Sequence, residues 1–106
     1  MNHADLHSLL ESKTALPRAT TLLRERGLRA VLFHLKAGEE LPEQQIRGAI
    51  TIQRLNGLSS LLAGDERVEM TPALLISLAP GVPHTLIARQ HTVLLVTISE
   101  QIPAQH

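Results

Sequence analysis

Residues 38–57 read Gly-Glu-Glu-Leu-Pro-Glu-Gln-Gln-Ile-Arg-Gly-Ala-Ile-Thr-Ile-Gln-Arg-Leu-Asn-Gly, and residues 73–84 read Ala-Leu-Leu-Ile-Ser-Leu-Ala-Pro-Gly-Val-Pro-His. Each segment joins a short apolar run to turn-forming glycine or proline. Short runs bounded by such residues are typical of β-strands. Similar runs follow one another from residue 19 to residue 99 without a helical pattern between them. The sequence therefore predicts an all-β sandwich or barrel.

Eight strands are predicted from this alternation of apolar runs and turn residues. The Asn56-Gly57 pair predicts a two-residue type I′ hairpin, because both central positions of that turn need a positive φ. Gly64-Asp65 is expected to close the next hairpin. Residues 1–18 are interpreted as an N-terminal arm or short helix, and residues 19–106 as one barrel domain. The predicted strands cover residues 19–25, 29–37, 48–55, 58–63, 66–71, 73–79, 84–90 and 92–99.

Composition narrows the class of protein. The chain has 106 residues, ten basic and ten acidic side chains, and no cysteine. The length suits one domain, and the balanced charge disfavours nucleic acid or a membrane surface as partner, since both call for a clustered basic face. Without cysteine there is no disulfide framework and no thiolate metal site. No apolar run approaches the roughly 20 residues of a membrane span, and no signal-peptide pattern is seen, so we expect a cytoplasmic protein.

The segments 73–79 and 93–98 are apolar almost throughout instead of alternating. Such strands are covered on both faces, one of them by the barrel interior. In a chain this short, the other covering surface is expected to be a second copy of the same chain. The sequence therefore predicts a homodimer.

The order of these pieces resembles the cupin superfamily, whose small double-sheet barrels carry two short motifs. In the first motif two histidines and a glutamate stand between two glycines, and Gly38 and Gly57 occupy the glycine positions at the family spacing. In the second motif Gly81 and His84 match. The resemblance covers roughly residues 28–99. It implies a cupin-like jelly-roll barrel of the small, single-domain RmlC-like type.

Most of the metal ligands implied by the resemblance are replaced in this chain. Gln44 and Ile46 stand at the two histidine positions and Ile50 at the glutamate position, which leaves His84 as the only strong ligand. A mononuclear site needs three or four imidazole or carboxylate donors about 2 Å from the ion. We therefore predict a degenerate metal site and no required cofactor, with a weakly held divalent metal at His84 left open.

The resemblance and the strand alternation together predict a ligand pocket. Gln44 and His84 would face each other as its polar groups, and His84 is the best acid–base candidate because imidazole titrates near neutral pH. Alternation from Ile50 would bring Arg54 inside beside them, where a guanidinium binds carboxylates, whereas a β-bulge would turn it to the outer face. The apolar wall is expected to consist of Phe33, Leu35, Ile46, Ile50, Ile52 and Leu86.

Other polar residues are given no ligand role. His34 lies between two residues expected to face inward, so it is predicted to point outward, at the surface or in an interface. His91 falls in the turn before the last predicted strand and is expected to be solvated. Glu39, Glu40 and Glu43 are interpreted as a solvated loop after Gly38.

Three functions remain open from the sequence. The leading hypothesis is a small-molecule-binding cupin barrel, acting as a binding or sensory module. The second is a small cupin enzyme of the isomerase or dioxygenase type, with a non-standard or weak metal site that uses His84. The third is a structural or interaction barrel whose interior is filled by its own leucines. A partly polar cavity would favour the first, a bound ion the second, and a fully packed interior the third.

Overall fold

The computed structural model describes residues 1, 3–6, 18–44, 47–71 and 74–99. The elements in these residues are nine β-strands, so the predicted all-β class is confirmed. The predicted N-terminal arm or helix falls mainly on residues 7–17, which lie outside the described residues. The described part of the chain has no helix that is long and apolar enough to cross a membrane. The strands are β1 Ala19–Glu25, β2 Leu28–Leu35, β3 Glu40–Gln44, β4 Ala49–Asn56, β5 Ser59–Ala63, β6 Glu66–Met70, β7 Leu75–Leu78, β8 His84–Ala88 and β9 Thr92–Ser99.

The strands form two antiparallel sheets. One has five strands in the order β1-β2-β9-β4-β7, and the other has four in the order β3-β8-β5-β6. Only β1–β2 and β5–β6 are consecutive strands that pair with each other, and the other connections between these nine strands cross from one sheet to the other. Apolar residues of the two inner faces meet in one core. The buried members of that core are Val31, Leu35, Leu41, Ile50, Ile52, Leu61, Met70, Leu86, Ala88, Leu94, Val96 and Ile98.

Strand register defines the two ends of the barrel. At one end His84, the first residue of β8, lies opposite Gln44 on one side and Ala63 on the other. In the facing sheet, Ile50 near the start of β4 lies opposite Leu78 at the end of β7. This end, where β8 begins and β3, β5 and β7 finish, is called the His84 end.

The opposite end is formed around Gly57 and is called the Gly57 end. The hairpin predicted here is wrong: β4 pairs with β7 and β9, whereas β5 pairs with β6 and β8, so the step from Asn56 to Gly57 leads from one sheet into the other. Gly57 has a φ of +85°, and a Cβ at this position would lie 2.0 Å from the carbonyl oxygen of His91. Glycine is therefore required because two crossing connections are in contact, and not because of a type I′ turn.

The carbonyl of Leu58 joins the same two connections by hydrogen bonds. It accepts from the amide of Arg89 at 2.9 Å, from the amide of Gln90 at 3.3 Å and from the hydroxyl of Thr92 at 2.8 Å. The side chain of Thr92 is fully buried. These bonds hold the segment before β9 against the segment before β5, which fixes the backbone of His91 between them.

Strand β3 is absent from the sequence prediction, which places its residues in a loop. Glu40, Pro42 and Glu43 are poor strand formers, and this explains the error. Among the described strands β3 is at the edge of its sheet and pairs with β8 alone, and a proline is tolerated at such an edge. The pairing shifts register between Leu41 and Gln44, and Leu41 itself is buried in the core.

The two strands with nearly continuous apolar sequence, β7 and β9, differ in how much of their surface is buried within a single chain. On β7, Leu75 is 63% exposed, whereas on β9 Val93 is buried although it lies outside the core cluster. The exposed leucine on the edge strand agrees with the idea that a further surface covers β7. The homodimer stays a prediction.

Replacing Gly57 by alanine should destabilise the protein more than replacing Gly38 by alanine. Both glycines have a φ of +85°, so the strain of placing an L residue there, about 1–2 kcal/mol, is common to both variants. Only at Gly57 would the new methyl group meet backbone atoms, since nothing lies within 4 Å of a Cβ at Gly38. We expect Gly57→Ala to lose about 1–3 kcal/mol more in urea unfolding. Equal losses would show that the two connections are not in close contact.

Candidate functional site

His84 lies on the inner face of β8 and is 5% exposed. It shares this face with Leu86 and Ala88, which belong to the core, because alternate residues of a strand face the same side. Its Nδ1 lies 3.1 Å from the carbonyl oxygen of Val82. A carbonyl can only accept, so Nδ1–H donates and Nε2 of the neutral ring keeps its lone pair. His84 thus offers an acceptor nitrogen at the His84 end of the barrel.

A cavity of about 300 Å³ opens at the same end, between the β5–β6 hairpin and β7. It adjoins His84 in two ways: Ala63 is the strand neighbour of His84, and the Val82 carbonyl accepts its hydrogen bond. Among the described residues of this lining Glu66 is the one that carries a charge, and most of the others are apolar. The residues that line the cavity are Leu61, Ala63, Glu66, Val68, Ile76, Ser77, Leu78, Ala79 and Val82.

A second cavity of about 200 Å³ lies at the same end and includes His84 itself in its lining. Its other lining residues are Leu62, Gly64, Pro83 and Thr85. The two cavities are therefore bordered by neighbouring residues of β5 and by the Val82-Pro83 connection. A ligand at this end would meet an apolar surface, one carboxylate and one imidazole.

The apolar wall expected from the sequence is found in the packed core instead of around these two cavities. Of the expected site residues whose side chains the structure describes, His84 is the one that lines either cavity. The backbone of Gln44 lies opposite His84, as the expected site requires, while Ile46 and the side chain of Gln44 lie outside the described residues. The wall residues buried in the core or packed against it are Phe33, Leu35, Ile50, Ile52 and Leu86.

Arg54 does not lie beside His84, which corrects the position expected for it. It keeps the inward parity of Ile50 and Ile52 and is half-buried, but it lies at the Gly57 end, where its guanidinium donates to the carbonyl of Gly57. Arg54 is four positions beyond Ile50 on the strand, which is about 13 Å along the barrel. The alternation rule gave the correct face, but strand register places Arg54 beside Leu94 of β9, at the opposite end of the barrel from His84.

Comparison with known proteins identifies the fold. No family model matches the sequence, and no curated protein matches it significantly. A cupin superfamily protein from Desulfitobacterium hafniense is similar in structure, with a TM-score of 0.80 and 18% identity over 91% of this chain and 88% of that one. An RmlC-like cupin from Desulfovibrio desulfuricans has a TM-score of 0.76 and 26% identity over 92% of this chain and 97% of that one. The chain is a small cupin domain.

The cupin fold also occurs in enzymes among the similar structures. The DMSP lyase DddQ from Ruegeria pomeroyi has a TM-score of 0.72 and 19% identity, over 82% of this chain and 48% of that one. A likeness at this identity concerns the fold alone, since one fold carries many chemistries. The activity of this cupin domain must therefore be argued from its own residues.

A pair of histidines lies on the outside of the cupin barrel at the Gly57 end. The Nε2 atoms of His34 and His91 are 2.9 Å apart, and the rings meet edge to face with centroids 4.3 Å apart. His34 lies outside the core, as predicted, but the expectation that His91 is merely solvated is wrong because it contacts His34. The contact depends on the pairing of Leu35 with Thr92 across β2 and β9, which strand patterns alone do not reveal.

The pKa of His34 lies below its ordinary value of 6.5. Burial is the main cause, the charge of His91 lowers the pKa further, and the carboxylate of Glu39 raises it. The folded state therefore binds this proton less tightly than the unfolded chain. The contribution of neutral His34 to the stability of the folded state is complete above about pH 6.5, and it is lost as the pH falls through the pKa of His34 in the folded state.

Two substitutions should move the pKa of His34 in opposite directions. Glu39→Gln removes the nearby negative charge but keeps an oxygen that can accept from the amide of Lys36, so it should lower the pKa further. His91→Phe removes a neighbouring positive charge and should raise it. The imidazole proton shifts of His34, followed by NMR against pH, measure both changes. A shift in the reverse direction for either variant would contradict the proposed electrostatics.

Proposed function

We propose that this cupin domain is a small-molecule-binding module whose ligand occupies the cavity of about 300 Å³ at the His84 end. That cavity is the observation that carries the proposal. Sites for small ligands are concave and mainly apolar, with a few polar groups that orient the ligand. The volume is near the lower end of the usual range, about 300–1,000 Å³, so the ligand is expected to be compact.

The polar groups at this end suggest the chemistry of the ligand. Glu66 contributes a carboxylate to the larger cavity, and His84, in the adjoining cavity, has a lone pair on Nε2. Both groups accept hydrogen bonds, and the described linings of the two cavities contain no arginine or lysine. The proposed ligand therefore has an apolar body and a positively charged or hydrogen-bond-donating end.

The metal site implied by the cupin fold is not supported by the described donors. Ile50, at the position of the family's glutamate, is 3% exposed in the apolar core. Within the described residues no group of three or more histidine, cysteine, aspartate or glutamate side chains is placed to hold an ion. One imidazole is too few for a mononuclear site. We therefore favour a binding module over a metal-dependent isomerase or dioxygenase.

The remaining alternatives are weighed by the same observations. A purely structural barrel would have its interior filled, and most of the core is packed, but the cavity beside His84 favours a ligand.

We further propose that the module is a cytoplasmic homodimer. The apolar composition of segment 73–79 and the exposed Leu75 on β7 support the dimer, whereas segment 93–98 is already covered within one chain.

The ligand site can be tested with two probes of the same size and opposite charge, benzylamine and benzoate. Benzylamine should bind more tightly, because its ammonium complements Glu66 while its ring occupies the apolar cavity. Ala63→Leu should lower the affinity for benzylamine at least about tenfold, because the added methylenes fill the cavity. Ala49→Leu, the same change at an exposed position of β4, is the control and should leave binding unchanged. NMR titration of methyl groups measures the affinity of the unsubstituted protein for each probe and the affinity of each variant for benzylamine.

Nuclear Overhauser contacts in the unsubstituted protein provide a second measurement that does not depend on a variant. The ring of benzylamine should contact methyl groups of Leu61, Val68 and Ile76. Glu66→Gln should remove most of the preference for benzylamine over benzoate. Tighter binding of benzoate, or contacts confined to residues outside the cavity, would overturn the proposed site.

The protein should carry far less than one transition-metal ion per chain at the His84 position. One imidazole supplies too few donors to retain an ion through size-exclusion chromatography in buffer without chelator. Metal analysis of the wild type and of His84→Ala should give the same low content. Near-stoichiometric iron, manganese, nickel or zinc that is lost in His84→Ala would contradict the binding module and support the enzyme.

A further inference from the structure

We propose that His34 and His91 form a two-histidine site for a divalent transition-metal ion on the outside of the barrel. The pair lies at the Gly57 end, away from the ligand cavity and from His84, so this inference does not depend on the proposed function. Imidazole nitrogen is a good ligand for copper, nickel and zinc. Both Nε2 atoms are already close together before any ion is present.

The distance between the two nitrogens is close to the separation that two imidazole ligands have on one ion. Metal–imidazole bonds are about 2.0–2.1 Å long. Two such ligands at a right angle lie about 2.8–3.0 Å apart, as on a square-planar or octahedral ion, whereas on a tetrahedral ion they lie about 3.3–3.4 Å apart. The Nε2 atoms of His34 and His91 are 2.9 Å apart. Either geometry therefore needs less than about 1 Å of movement between the two nitrogens, and Cu²⁺ is the expected ion because it binds most strongly in the divalent series.

Both imidazoles are carried by backbone that is firmly held. The amide of His34 donates to the carbonyl of Arg18 at 2.8 Å, and its strand β2 pairs with β9 along its length. The backbone of His91 lies against Gly57, and its neighbours on either side bond to the carbonyl of Leu58. Little backbone freedom is lost when an ion binds, which favours affinity.

The surroundings add negative charge but not a third ligand. The carboxylate of Glu39 acts on His34 through its charge, and its Oε1 accepts a hydrogen bond of 2.7 Å from the amide of Lys36. The described residues provide no group of three or more suitable donors, so water completes the coordination. Binding is therefore reversible and weaker than in a dedicated metal centre.

Binding of Cu²⁺ exchanges water ligands for imidazoles and moves one proton. In the metal-free chain, one Nε2 carries a proton and donates it to the other Nε2. When Cu²⁺ binds, two metal–nitrogen bonds form and two water ligands leave the ion. The ring that carried the Nε2 proton gives it up to solvent and takes one up at Nδ1, so both ligands are neutral imidazoles and no proton is released on balance. No electron is transferred.

The test is a titration of the whole chain with Cu²⁺ followed by calorimetry. All samples carry His3→Ala, so that a histidine near the start of the chain does not compete. His34→Ala and His91→Ala should each lower the affinity about tenfold or more, because each removes one of two ligands. His84→Ala should leave the affinity unchanged. Loss of affinity in His84→Ala alone, or no loss in either pair variant, would overturn the proposal.

A spectroscopic measurement keeps the test valid if a pair variant folds poorly. Pulsed electron paramagnetic resonance counts the imidazole nitrogens bound to Cu²⁺ in the protein with both histidines of the pair intact. Two coupled imidazoles, which fall to one in His91→Ala, are expected. A single imidazole in the intact pair would show that Cu²⁺ binds elsewhere and would refute the site.

Discussion

The backbone of Gly57 lies so close to the carbonyl of His91 that no side chain fits between them. This contact joins the connection from β4 to β5 with the connection from β8 to β9, and each of these passes between the two sheets. The carbonyl of Leu58 strengthens the junction by accepting from residues on either side of His91. The barrel is therefore tightly closed at this end, and the position of His91 beside His34 follows from the same contact.

The His84 end of the barrel is open, in contrast to the closed Gly57 end. The edge strands β6 and β7 belong to different sheets and do not pair, so a gap remains between them. The larger cavity lies in this gap. The carbonyl of Val82 fixes one nitrogen of His84 as donor and leaves the other as acceptor. Space and a defined polar group thus occur together at the end of the barrel where the packing is incomplete.

The fold could be predicted from the sequence because its glycines and apolar runs have a distinctive spacing. The local signals failed where the tertiary arrangement decides the outcome. Asn56-Gly57 has the composition of a hairpin, but the positive φ of Gly57 serves a crossing between sheets. Glu40–Gln44 has the composition of a loop, but β8 supplies a strand for it to pair with. In both cases the deciding partner is distant in sequence.

The site was less predictable than the fold for the same reason. The inward face of Arg54 follows from strand alternation, but which end of the barrel it reaches depends on strand register. The contact of His34 with His91 joins residues 57 positions apart and depends on the pairing of β2 with β9. His84 was found because its motif position is local, and the cavity beside it was missed because its wall comes from three strands and a loop.

The turn at Gly64 should accept inserted residues, whereas the connection at Gly57 should not. A Cβ at Gly64 would have nothing within 4 Å, and the turn projects at the open end beside the cavity. Extra residues inserted there would extend into solvent without disturbing the core. An insertion at Gly57 would instead separate the two crossing connections and break the contact that closes this end of the barrel. Sequence length can therefore vary at the end where we propose that a ligand binds, whereas the Gly57 end must keep its length to hold the two sheets together, and lengthening the Gly64 turn would change the lining of the cavity beside it.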